Sequence, residues 1–166
     1  MALFEVDQAK QEEWKRKYRE AVASKLDGSD VLAVGPFQRT GQYFLTIPLI
    51  GQLMGLILYL VHAVFQKRRS GGLPSNYLLV VTADKVHAFK YRGSYGGVKV
   101  KDEVAVWNRS DLRLVDRQDG ALATTLTFEA TEDGERASFK ANTPKLSSNP
   151  WSAEVVELIE GGGSPA

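Results

Sequence analysis

The chain has no cysteine among its 166 residues. That removes disulfides, thiolate metal sites and thiol nucleophiles, and it fits a reducing compartment. Histidine is almost as scarce, with only His62 and His87. Neither has a second histidine or a carboxylate at ligand spacing, so both read as structural and no metal centre is expected. No serine sits in a nucleophile elbow. Gly93-Ser94-Tyr95-Gly96-Gly97-Val98-Lys99 lacks the Gly-Lys-Ser/Thr ending of a phosphate loop and reads as a hairpin turn. With no catalytic constellation and no cofactor motif, the expectation is a protein that is not an enzyme and needs no cofactor. Excess charge of one sign is lacking too. The net charge is +1, so no global field points to nucleic acid. The N-terminal residues are acidic and mixed, without a basic stretch leading into an apolar core, so no signal peptide is expected and the location expected is cytoplasmic. Asn108-Arg109-Ser110 matches the glycosylation pattern and reads as a chance match in a turn.

Charge is also missing locally. Thr40–Gln66 holds no charged residue, and it is closed by Arg39 on one side and Lys67-Arg68-Arg69 on the other. As a helix, Tyr43–Phe65 is roughly 35 Å long, against a hydrocarbon core of about 30 Å. Gly51 and Gly55 form a close-packing pair in such a helix. Pro48, Gln52, Gly55, Tyr59, His62 and Gln66 recur at alternating spacings of four and three residues. On a helix they share a strip within an arc of about 80°. Such a strip suits water, a polar partner or a copy of itself. Gly51, Gln52, Gly55, Tyr59, His62 and Gln66 are therefore the candidate membrane or oligomer contacts. Two readings stand. One buries the run in protein, against the sheet or in an oligomer interface. The other places it in contact with a membrane, as an interfacial helix or a shallow re-entrant pair broken near Pro48–Gly51.

The rest of the chain is better patterned. Asp7–Leu26 reads as a helix, with Asp7 as N-cap and Gly28 just past its end. Glu12/Arg16, Glu13/Lys17 and Arg16/Glu20 are opposite charges at helical spacing, while Trp14, Tyr18, Ala21 and Val22 form a narrow apolar stripe. The stripe suits a helix docked on the domain, or one lying on an anionic membrane. Asp30–Gln38 reads as a strand. From Tyr77 onward short strands follow at regular spacing: Tyr77–Thr82, Lys85–Arg92, Val98–Trp107, Ser110–Arg117, Leu122–Ala130 and Glu135–Ala141. Asp119-Gly120 and Asp133-Gly134 are hairpin signals, because tight turns need positive φ. Asn149 and Pro150 open a last helix, on which Trp151, Val155, Leu158 and Ile159 line one side. Gly161 begins a tail read as disordered over 161–166.

One strand, an insertion, about six antiparallel strands and a closing helix make a mainly β (α+β) chain. An open curved sheet needs a plug, and the last helix supplies one. This order resembles the small bacterial pleckstrin-homology-like (PH-like) proteins. The likeness is carried by Asn76–Lys90 (NYLLVVTADKVHAFK), Asp102–Val115 (DEVAVWNRSDLRLV) and the Trp-containing last helix. It implies a partly open barrel of about seven strands with a C-terminal capping helix. It assigns residues 1–28 to an N-terminal helix and 29–160 to a single PH-like domain with an apolar helical insertion at 40–69.

The resemblance implies a binding scaffold. Its phosphoinositide motif is not reproduced here, since the first connection is the apolar run and only Lys67, Arg68 and Arg69 are basic within it. A second group of cations lies on two neighbouring strands. Lys90 and Arg92 share one strand face, and Lys99 and Lys101 share one on the next. Together these seven are the candidate contacts for an anionic head group, and a solvated strand edge is the alternative use of the last four. The expected function is a non-enzymatic binding or assembly module that self-associates or contacts the inner face of a membrane. The expected partner is a second copy, another protein or a membrane surface, and no nucleic acid is expected. The alternative is a carrier holding a small apolar ligand between the curved sheet and the apolar helix.

Overall fold

The computed structural model describes residues 8–40, 73–94, 97–121, 123–132, 135–144 and 150–161. Helix α1 spans Gln8–Ala23, and strand β1 spans Ala33–Arg39. Strands β2 (Asn76–Val81), β3 (Lys85–Ser94) and β4 (Gly97–Asn108) follow. A single 3-10 turn, Arg109–Asp111, leads to β5 (Leu112–Asp119), β6 (Ala123–Glu132), β7 (Glu135–Pro144) and helix α2 (Pro150–Glu160). The expected mainly β chain with a helix at each end is what forms. Several strands run two or three residues beyond the expectation, β3 to Ser94, β5 to Asp119, β6 to Glu132 and β7 to Pro144, and three other boundaries differ as well. α1 ends at Ala23 rather than Leu26, and a turn through Asp27 and Gly28, both at positive φ, carries the chain onward. β1 begins three residues later than Asp30. Arg109–Asp111 takes the first residues of the expected Ser110–Arg117 strand. The Asp7 and Asn149 caps, the insertion and the tail beyond Gly161 fall outside the described residues.

All seven strands form one antiparallel sheet, in the order β4-β3-β2-β1-β7-β6-β5. β4 and β5 are its two edges, yet only three residues separate them in the chain. A flat sheet would hold those edges roughly 29 Å apart, at about 4.8 Å per strand. Four Cα steps from Asn108 to Leu112 reach at most about 14 Å. The sheet therefore has to curl until its edges approach at that corner. Side chains across the interior show the same closure. Trp107 on β4 stacks on Phe139 of β7, with ring centres 5.1 Å apart. Phe139 stacks on Phe128 at 5.2 Å, Phe128 meets Phe37 edge-on, and Phe37 stacks on Tyr77. One chain of rings thus links the edge strand to the centre of the sheet through the core. Among the described residues no ladder joins β4 to β5, so the curled sheet stays open along that seam.

Burial follows the coverage of the two faces. β1 and β2 are buried on both sides, which is why Leu78-Leu79-Val80-Val81 is a continuous apolar run. The inner face joins Leu79, Val81, Ala88 and Leu126 to Val155, Val156 and Ile159 of α2. The outer face joins Val34, Leu78, Val80, Phe89 and Val100 to Tyr18, Val22 and Leu26. α1 is thus docked on the sheet through its apolar stripe. Its solvent side keeps Glu13–Lys17 and Arg16–Glu20 ion pairs. Among the described residues β6 has no such outer cover, and its burial alternates: Thr124, Leu126, Phe128 and Ala130 are in, as period-two patterning requires.

α2 sits where β1 and β7 part. Among the described residues β7 pairs with β1 only at Gln38 and Arg39, and no strand lies beside Ala33–Phe37 on that side. The carbonyl of Pro36 points into the gap and accepts a hydrogen bond from the Ser152 hydroxyl at 2.7 Å. In an antiparallel strand a residue's nitrogen points the same way as its carbonyl. The missing N–H of Pro36 therefore costs no ladder bond. At Gly35 the helix backbone comes so close that an added Cβ would lie 2.8 Å from Ser152 Cα. The apolar side of α2 is split between the layers: Trp151 joins the outer cluster beside Tyr18, while Val155 and Ile159 enter the inner one. At its other end, Arg109 donates two hydrogen bonds to the Leu158 carbonyl, from Nε at 3.3 Å and Nη2 at 2.9 Å. A cation on the last-turn carbonyls satisfies an acceptor the helix leaves open and suits its dipole. Lys15 pairs with Glu154, tying α1 to α2.

Two stability measurements check this packing. Gly35→Ala is expected to lower stability by about 2 kcal/mol, because its methyl group meets helix backbone that cannot swing aside. Trp151→Ala is expected to cost about 3 kcal/mol, as for a large aromatic removed from a packed site. Urea unfolding of both variants reads the loss, and unchanged midpoints would mean that α2 is not seated on β1.

Candidate functional site

The two ends of the curled sheet differ. One end is filled by α2 and locked by Arg109. At the other end β1 finishes, β2 begins, and the β3–β4 hairpin turns. There the inner-face positions become polar. Arg39 follows Phe37 by alternation on β1. Lys90 and Arg92 continue the Val86 and Ala88 face of β3, and Lys90 lies opposite Tyr77. Lys99 lies directly opposite Arg92 across the hairpin. Four cations thus gather at one end of three strands. Among the described residues none of the four takes part in an ion pair.

A cavity of about 410 Å³ opens here. Arg39 and Lys90 supply its charge, Ser75 and Asn76 its neutral polar groups, and Leu73, Pro74 and Tyr91 its apolar wall. The clasp between β1 and β2 shapes its floor, with the Arg39 amide donating to the Ser75 carbonyl at 2.9 Å. Two polar atoms in this region are buried without a hydrogen-bond partner, Arg39 Nε and the Tyr77 hydroxyl. Burial pushes the phenols of Tyr77 and Tyr91 up, and Tyr18 beside Tyr91 adds to the second shift. Both therefore stay protonated at neutral pH. The chemistry on offer is that of cationic and neutral donors, without a described acid or base placed to act on a ligand.

The structure places the expected cations in part. Lys90, Arg92 and Lys99 come together as the strand pattern implied. Lys101 does not join them in register. The pairing steps from Phe89↔Glu103 to Tyr91↔Val100, so β4 carries an extra residue there and Lys101 has no opposite number on β3. An uninterrupted two-residue alternation could not show that bulge. Gly51, Gln52, Gly55, Tyr59, His62, Gln66, Lys67, Arg68 and Arg69 lie outside the described residues. Arg39 was visible in the sequence only as the boundary of the apolar run, and the signal that would have found it is its alternation with Phe37. His87 corrects the sequence reading. It has a carboxylate neighbour in space, because its Nδ1 lies 2.6 Å from Glu103 Oε1 across the β3–β4 ladder. Among the described residues no group of three metal-ligating side chains forms, so the pair remains a surface contact on the outer face.

A comparison with protein-family models finds no match, and a comparison with curated proteins finds none either. Among the described residues no helix is long and apolar enough to cross a membrane.

The directly opposed Arg92 and Lys99 repel each other when nothing lies between them. Replacing both with Gln is expected to raise the melting temperature by about 2 °C at low ionic strength. The gain should vanish in high salt, where surface charges are screened. Calorimetry at two salt concentrations reads this, and a salt-independent change would show that the two side chains do not sense each other.

Proposed function

We propose that this chain is a non-enzymatic, PH-like binding module that contacts an anionic membrane surface with its open barrel end, assisted by the apolar run that leaves from the same place. The observation that carries this reading is the row Arg39, Lys90, Arg92 and Lys99, four cations without a described carboxylate partner beside a cavity. Cations kept free of acidic neighbours attract anionic groups, and each near a negatively charged leaflet is worth about 1 kcal/mol. The sheet order and the closing helix agree with the PH-like resemblance, which is a resemblance of architecture and carries no ligand with it.

The position of the connection supports the same reading. Residues 41–72 join two strands that are antiparallel neighbours, and the Arg39–Ser75 hydrogen bond holds the two ends of the connection together. A segment whose ends meet on one side of a bilayer crosses it an even number of times or not at all. Contact from one face is the economical outcome for a stretch this apolar. Self-association through the strip of Gln52, Tyr59, His62 and Gln66 is the competing use of the same run. The small-ligand carrier has less support, because the inner face is filled by Phe37, Tyr77, Phe128, Phe139 and α2.

Deleting Tyr43–Phe65 and joining the ends with a short Gly/Ser linker is expected to leave the sheet folded, since the loop it shortens costs little entropy. The same deletion should abolish flotation with anionic liposomes that the full chain shows at low salt. Circular dichroism and flotation read the two outcomes together. A full chain that stays monomeric and does not float would refute the membrane reading, whereas a full chain that forms a defined oligomer, lost on deletion, would assign the run to assembly.

A further inference from the structure

We propose that α1 is a releasable strap: docked on the sheet in the free protein, it leaves the sheet to lie on an anionic membrane as a basic amphipathic helix. The proposal rests on the membrane reading above and adds to it a second contacting element and the device that holds that element back.

The seat of α1 is shallow. Among the described residues of α1 only Tyr18 and Val22 are buried, and Leu26 follows just past its end. α2 is shorter, yet it buries Trp151, Ser152, Val155, Val156 and Ile159. A helix as short as α1 is marginal by itself in water, so it depends on the contact it makes. Elements held by few buried apolar contacts are the ones that open first. An exposed turn through Asp27 and Gly28 joins α1 to β1 and supplies the hinge. Among the described residues α1 is nonetheless the main cover of the outer face, over Val34, Leu78, Val80 and Phe89. Baring those residues to water is unfavourable, and that keeps the strap docked in the free protein. Near a membrane the balance changes. Tyr18 meets Tyr91, a wall of the open-end cavity, edge-on at 6.2 Å, so lipid met by that end lies beside both the stripe and the face it leaves.

The charges of α1 supply an independent observation. In the docked state each of its four central cations has a protein acceptor. Arg16 and Lys17 pair with Glu20 and Glu13 on α1 itself. Lys15 pairs with Glu154 of α2, and Arg19 donates to the Leu32 carbonyl at 3.1 Å. The last two are ties to other elements, and release frees both cations beside Trp14, Tyr18 and Val22. Undocked, α1 joins lysine and arginine heads to an aromatic and aliphatic stripe, which is the make-up of a helix that lies in a membrane interface. Docked, it hides the stripe and spends those two cations on the fold. A surface that binds only the released form shifts the equilibrium toward it.

The test uses the intact chain, which has no cysteine of its own. Lys15→Cys with Glu154→Cys, joined by a reductant-cleavable bismaleimide, fastens α1 to α2, and cleavage frees it again in the same variant. Flotation is measured on phosphatidylcholine vesicles carrying phosphatidylglycerol. The joined form is expected to float on the order of tenfold less than the cleaved form, since one weak membrane signal remains where two acted. Glu154→Gln, which removes the tie to Lys15, is expected to bind about two- to fivefold more tightly than the wild type, as the loss of one partly exposed ion pair implies. Brominated acyl chains are expected to quench the tryptophan fluorescence of the wild type more than that of Trp14→Phe. Equal flotation of the joined and cleaved forms, or quenching that does not depend on Trp14, overturns the strap and leaves the membrane reading standing. Unchanged binding by Glu154→Gln overturns the role given to the Lys15–Glu154 tie. A wild type that does not float overturns the membrane reading and the strap together.

Discussion

The rest of this structure depends on the short link between the two edges of its sheet. Arg109–Asp111 is too short to span a flat seven-stranded sheet, so β4 and β5 are drawn together at one corner. Once the sheet is curled, side chains that are far apart in strand order meet inside it. Trp107 and Phe139 are the clearest case, since four steps of the sheet order separate their strands yet the rings stack. The same link also carries the residue that fixes the plug. Arg109 is nearly buried, and its guanidinium reaches the last-turn carbonyl of α2. Closure of the sheet and seating of the helix are thus joined through one residue.

The approach of the edges at one corner makes the two ends of the curled sheet unequal. At the end near Arg109, α2 occupies the gap left by β7, and Gly35 and Pro36 let it approach: the first has no side chain to obstruct it, and the second has no N–H to leave unpaired. At the other end β1, β2 and β7 remain paired through Gln38 and Arg39, and no described helix enters. Of the inner-face residues there, Arg39 and Lys90 line a cavity. The apolar residues of the plugged end and the cations of the open end lie on the same strands, a few residues apart. Alternation puts them on one face, and position along the strand decides whether they meet α2 or the cavity.

Much of this was legible in the sequence. The strand runs, the Asp-Gly turns and the two helices announced a mainly β chain with a helix at each end, while the burial of the central strands on both faces is known from the structure. That Arg92 and Lys99 lie on neighbouring strands beside a glycine-rich turn was legible too, but the register that sets them opposite each other was not, because β3 runs on to Ser94. What remained hidden has specific physical causes. Arg109 looked like any surface arginine in a turn, because its value lies in a carbonyl 49 residues away. The His87–Glu103 contact joins adjacent strands across a register that shifts nearby, and no fixed spacing encodes it. The split of α2 between two layers was also hidden. A helical stripe shows which residues face inward, and it does not show that a sheet will end beneath the first turn and send Trp151 to one side and Val155 to the other.

The apolar run and the cations make sense together when their distances from the sheet are considered. Arg39 is both the last residue of β1 and the first wall of the cavity, so the run begins within a residue or two of the charged site. A single weak membrane signal gives reversible binding, and two signals at one place reinforce each other because the second is engaged at high local concentration once the first has bound. On the proposed reading, the cations orient the open end toward the anionic surface and the tethered apolar segment meets the same patch of lipid without a search. The cost of that arrangement is a set of unpaired like charges at Arg92 and Lys99. On that reading, an anion bound beside them relieves a repulsion that only salt screening weakens in the free protein. That gives the bound state an advantage a neutral strand edge would lack, and it ties the small instability of the open end to its proposed use.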